Sequence, residues 1–143
     1  MIKIRGCEGG GCRGRECCRK NAHLTMVTYV LPFMMIDVQE YIAADGSCPY
    51  EKWFNSLNAQ AAAKVAIAIT HISQGNLSNV KGLRGGLYEY RIDFGPGYRI
   101  YLGREGQRII VLLGGGTKKR QRQDIRSALK LWQEYKNRKG KET

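Results

Sequence analysis

Residues 90–103, YRIDFGPGYRIYLG, gather two arginines and three tyrosines around a Gly-Pro-Gly turn. Farther along, TKKRQR at 117–122 adds Lys118, Lys119, Arg120 and Arg122. Arginine grips a phosphate through two parallel N–H bonds, and tyrosine hydrogen-bonds to a base or stacks on it. Arg91, Arg99 and Tyr101, together with the four basic residues of 117–122, are therefore candidates for holding a phosphate-bearing partner.

Other chemistries find less support. Cys7, Cys12, Cys17 and Cys18 follow a C-x4-C-x4-C-C spacing, unlike the paired C-x2-C of zinc sites, and nothing places His23 beside them. Free thiols in a reducing cytoplasm are expected, with no metal and no small-molecule cofactor. His71 forms no catalytic unit with a neighbouring Asp, Ser or Cys.

The formal net charge of +12 is unevenly spread. Residues 35–116 carry eight Lys and Arg against seven Asp and Glu, whereas 117–143 carry ten against three. A balanced centre with a basic end suits an anionic partner, either nucleic acid or an acidic protein segment. Basic residues 13–20 precede the apolar run LTMVTYVLPFMMI, which approaches a signal-peptide profile. Thr25, Thr28 and Pro32 dilute that run, and it is too short to span a bilayer. Residues 1–33 are expected to be an irregular extension, explained by an upstream start codon. The domain proper is expected at 34–138, with a basic tail at 139–143.

These residues need elements to position them. At 143 residues the chain is one domain by length. MMIDVQEYI (34–42) predicts a first strand, and AADGSCP (43–49) a loop. Pro49 opens a helix over about 49–57, and Asn58 caps another over about 59–74. The second helix should turn Ala62, Val65, Ala66, Ile69 and Ile72 inward and stop at Gly75, making an antiparallel helix hairpin with the first. Residues 76–86 read as a polar connection. Strands are predicted at about 87–94, 98–103 and 108–113, with GGGT (114–117) ending the sheet. A last helix, about 119–138, buries Ile125, Ala128, Leu129 and Trp132. The order implies an α+β domain, with helices on one face of a small, mostly antiparallel sheet of about four strands.

Alternation places Tyr88, Tyr90, Ile92 and Phe94 on one face of the first hairpin strand and Glu89, Arg91 and Asp93 on the other. A three-residue turn at 95–97 would pair Phe94 with Tyr98, Ile92 with Ile100 and Tyr90 with Leu102. It sets Asp93 against Arg99 and Arg91 against Tyr101, and keeps the apolar and polar sets apart. The polar face would then be open, with TKKRQR entering from the next strand end.

YEYRIDFGPGYRIYLG and LLGGGTKKRQRQDI, with the earlier YIAADGSCPYEKWF, resemble the phage-derived "addiction module killer protein" branch of the RelE/ParE toxin superfamily, over about residues 35–138. The resemblance implies the α+β fold above and a cytoplasmic toxin of a type II toxin–antitoxin module. Its partners would be a cognate antitoxin, expected to be a small helix-turn-helix protein, and mRNA, read on the ribosome or free of it. The RelE side of the superfamily cleaves mRNA without metal; the ParE side poisons DNA gyrase. By the same resemblance Arg99 matches the sheet arginine near the scissile phosphate. Lys119 matches the basic position after the last strand, flanked by Lys118 and Arg120. Arg91 and Arg122 become RNA contacts. Ile125 stands where RelE-type nucleases often carry a tyrosine, and Tyr101 is the candidate replacement. A metal-independent mRNA endoribonuclease is the leading expectation; a gyrase poison and a nucleic-acid-binding regulator are the alternatives.

Overall fold

Two tryptophans press on glycines from opposite sides of one sheet, and the fold is organised around those contacts. The computed structural model describes residues 35–142. Strands run over Asp37–Glu40 (β1), Val80–Gly82 (β2), Leu87–Ile92 (β3), Tyr98–Glu105 (β4) and Ile109–Thr117 (β5). Helices cover Pro49–Asn55 (α1), Ala59–Ser73 (α2) and Gln121–Glu142 (α3). The sheet order is β1-β5-β4-β3-β2, with β1 parallel to β5 and the other pairs antiparallel. The α+β class and the order of the main elements are as expected. β2, only three residues long, is a fifth strand inside what reads as a polar connection.

Local chemistry accounts for the helix starts. Pro49 occupies the first turn of α1, where its missing N–H costs nothing. The Asn58 side chain accepts from the Ala61 N–H at 2.8 Å and caps α2. The buried stripe of α2 is Ala61, Val65, Ala68 and Ile72; the expected Ala66 is exposed and Ile69 half-buried. Val65, Ala68 and Ile72, with Tyr50, meet Tyr90, Ile100, Leu102, Ile110 and Leu112 on one sheet face.

The other face is covered as well, which corrects the expectation of helices on one side only. Ala128 and Trp132 of α3 pack with Tyr41, Leu87, Tyr101, Val111 and Leu113. Charged Glu89, Arg91 and Arg99 made that face read as open, but the aliphatic residues around them form a second core. A methyl group at Gly103 would overlap the indole of Trp132, and one at Gly115 would overlap Trp53. The GGGT stretch therefore lies inside β5 rather than ending the sheet: bare backbone lets Trp53 and α3 approach. β5 also carries a bulge, since Tyr101 pairs with Gly114 and Leu102 with Leu112, leaving Leu113 extra.

The hairpin register differs by two residues from the expected one. Ile92 faces Tyr98, Tyr90 faces Ile100, Arg91 faces Arg99 and Glu89 faces Tyr101. A shift of two preserves every face and changes every partner. The loop spans 93–97 because Phe94 N–H bonds back to Ile92 O and Gly97 N–H to Phe94 O. α3 continues through residues 139–142, which were expected to form a tail. The expected strand over 34–42 is confined to 37–40.

Candidate functional site

Arg91 and Arg99 stand directly opposite each other on β3 and β4, an arrangement that repels by itself. Glu89 resolves it. Its Oε1 accepts from Arg99 Nη1 at 2.8 Å and from Arg91 Nε at 3.3 Å. Its Oε2 accepts from Gln121 Nε2 at 2.7 Å, which ties the first residue of α3 to the sheet. Glu89 is fully buried and Arg99 nearly so, at 0% and 9% exposure, while Arg91 reaches solvent. One carboxylate against two guanidinium groups leaves the cluster with a net positive charge. The Nε of Arg99 is buried without a partner. Arg99 therefore pairs with Glu89, not with Asp93, which is exposed in the hairpin loop.

Lys118, Lys119 and Arg120 form an exposed 3-10 turn after β5. The Lys118 N–H donates to Gly97 O at 2.9 Å, docking this turn on the Gly-Pro-Gly loop. Arg99 faces Gly116, so the basic turn leaves β5 two residues past the position opposite Arg99. Arg91, Arg99 and the three cations of the turn are thus gathered at one end of the β3–β4–β5 sheet. Arg122 lies on the exposed side of α3, in a groove with Arg84 and Arg126.

Tyr101 is elsewhere in character. It is 1% exposed, beneath α3, and its hydroxyl has no hydrogen-bond partner. Burial pushes its ionisation upward, reinforced by the negative charges of Glu89 and Asp124 and opposed by Arg99. The expectation that Tyr101 faces the partner from an open sheet is corrected: the aliphatic second core claims the ring. Ile125, in the place the resemblance gives to a tyrosine, belongs to the apolar stripe packed on that core.

Two further residues complete the surroundings. Asp124 packs against Gly116, with Oδ2 buried and unpartnered; burial raises its pKa and Arg120 opposes the rise. His71, at the far end of α2, shares a groove with Lys64, Arg91 and Asp93, which neither Glu89 nor Arg99 lines. Sequence reasoning missed the roles of Glu89 and Gln121. A lone acidic residue between basic ones on an alternating strand was the available signal for the first; Gln121 offered none.

Among the described residues, Glu40, Cys48 and Glu51 converge closely enough to share an ion. Cys48 lies 3.5 Å from Glu40 Oε2, and burial and the neighbouring acids push its thiol upward, which disfavours the thiolate a metal needs. Cys7, Cys12, Cys17, Cys18 and His23 lie outside the described residues, as do the expected extension and all but the last two residues of the apolar run. Among the described residues no helix is long and apolar enough to cross a membrane.

No protein-family model matches the chain. It is similar to an uncharacterized protein of Haemophilus influenzae, 38% identical over 86 residues, which take in 59% of this chain and 87% of that protein.

Proposed function

The chain belongs to one family with the uncharacterized Haemophilus influenzae protein, and we propose that it is a RelE/ParE-type toxin that cleaves RNA. The observation that carries this reading is the cationic end of the sheet, where buried Glu89 holds Arg99 and Arg91 beside the exposed turn Lys118–Arg120. Cations fixed by the fold before substrate arrives suit the charge that develops on a phosphate under attack by its own 2′-hydroxyl. In this reading Arg91, Lys118 and Arg120 hold the RNA backbone, while Arg99 and Lys119 face the scissile phosphate. Tyr101 takes no proton in this arrangement, because its hydroxyl is sealed and kept protonated. The protein would act in the cytoplasm and be held in check by a cognate antitoxin.

The test is cleavage of a defined single-stranded RNA in chelator-containing buffer and of ribosome-bound mRNA in the magnesium buffer that ribosomes need. New ends bearing 2′,3′-cyclic phosphate and 5′-hydroxyl are expected. Arg99→Ala and Lys119→Ala should each lower the rate about a hundred- to a thousandfold, the usual cost of one preorganised charge donor. Intact RNA in both assays would overturn the reading. A second reading, a toxin that poisons DNA gyrase without chemistry of its own, is favoured by the burial of Tyr101 and by Ile125 at the start of α3. Inhibition of supercoiling with RNA left intact would establish it.

A further inference from the structure

Arg91 belongs to two places at once. Its Nε is held by buried Glu89 at 3.3 Å, while 46% of its side chain reaches solvent. There it joins the lining of the His71 groove, about 210 Å3 in volume, between α2 and the end of β3. Asn79, just ahead of β2, is fastened beside it: the Asn79 carbonyl accepts from the Arg91 N–H at 3.1 Å.

The polar lining of this groove is uncommitted. Among the described residues, the side chains of His71, Asn79 and Asp93 make no hydrogen bond or ion pair. Lys64 Nζ lies 5.5 Å from the centre of the Phe94 ring, which steadies a cation at the same groove. Each remaining group offers something different. Asn79 carries a donor and an acceptor side by side, Asp93 accepts only, and half-buried His71 presents a flat ring. Ile67, exposed on α2, adds an aliphatic flank.

A simple anion would engage Lys64 and Arg91 and leave the other groups idle. An unstacked RNA base uses them all: it stacks on a flat side chain, histidine included, and hydrogen-bonds along its edge. At about 210 Å3 the groove exceeds the roughly 150 Å3 cavity that takes one benzene ring, which suits the two rings of a purine. We propose that this groove is a subsite for a purine base of the RNA, next to the phosphate that Arg91 holds. His71 stacks on the base, Asn79 and Asp93 meet its edge, and Lys64 and Arg91 take the flanking phosphates. The inference rests on the RNA reading and adds a base preference to it.

Binding of an RNA that cannot be cut tests the proposal on the intact chain. Labelled 2′-O-methyl heptamers have no free 2′-hydroxyl to attack, so affinity is read apart from cleavage. Oligo-U carrying one central A or G is compared with all-U and with one central C, by fluorescence anisotropy at physiological salt. The purine heptamers should bind about tenfold tighter, in keeping with one stacked base. His71→Ala should erase that advantage and leave the all-U affinity unchanged. His71→Phe, which keeps a flat ring, should retain it. Asn79→Ala with Asp93→Ala should reduce it to about threefold or less, the loss of the edge contacts. Lys130→Ala, outside the groove, should leave the ratio intact, and circular dichroism should be unchanged throughout. Equal binding of the four heptamers, or a purine advantage that survives His71→Ala, would overturn the proposal. Free 5′-AMP binding as tightly as the A heptamer would assign the groove to a free nucleotide instead. The two readings fail separately. A purine advantage without cleavage keeps the subsite and removes the nuclease, and cleavage without a purine advantage does the reverse.

Discussion

Glu89 is the residue on which the cationic cluster depends. Removing one partner of a buried ion pair leaves the other charge desolvated and uncompensated, at a cost of about 3–5 kcal/mol. Glu89→Ala should therefore destabilise the domain by about that amount in urea titration. Arg91→Ala, at the solvent-facing end of the same cluster, should cost under about 1 kcal/mol. A Glu89→Ala protein with an unshifted midpoint would show that Arg99 finds water when its partner goes. The two arginines were legible in the sequence as residues of one sheet face; their pairing with each other and their shared partner were not. Alternation fixes a side chain's face, but only register names its neighbour: a shift of two residues put Arg91 opposite Arg99 in place of Asp93 and left Glu89 as the diagonal ion-pair partner.

Among the elements, the last helix was the most legible. Ile125, Ala128, Leu129 and Trp132 recur at helical spacing, and they are the residues that pack. The glycines were not legible, because their meaning arrives from distant positions. Gly103 is needed by Trp132 and Gly115 by Trp53, contacts that no local pattern announces. β2 escaped notice because three residues carry too little alternation to register. Trp132→Ala should cost about 3–5 kcal/mol, the range for truncating a buried large aromatic. Gly103→Ala adds one methyl group yet forces the same indole to move, so about 1–3 kcal/mol is expected. In Trp132→Ala the vacated space should absorb the Gly103 methyl at little further cost. Additive losses in the double-mutant cycle would separate the two sites and refute the contact.

At the scale of the molecule, a net charge of +12 makes acid conditions costly, and few acidic groups counter it. Glu105 is one. It accepts from the Tyr135 hydroxyl at 2.5 Å and from Lys139 Nζ at 2.8 Å, fastening the far end of α3 to the end of β4. Those two hydrogen bonds, Lys139 first, hold its pKa below the ordinary 4.5. A lowered folded pKa means that the contribution is present above 4.5 and lost as pH falls through the folded value. Both partners are partly exposed, so the amount is under about 1 kcal/mol. Amide exchange in residues 133–142, at matched intrinsic rates, should quicken below that pH in the native chain and show no such step in Glu105→Gln. The parallel seam between β1 and β5 sets a different condition, one of timing. Asp37 pairs with Ile109, and Tyr41 meets Glu134 and Arg138 of α3. During synthesis β1 has no edge to join until β5, some seventy residues later, has left the ribosome. The sheet therefore closes only after β5 has emerged, and until α3 follows, the cationic cluster, split between β3 and β4, has no second core above it.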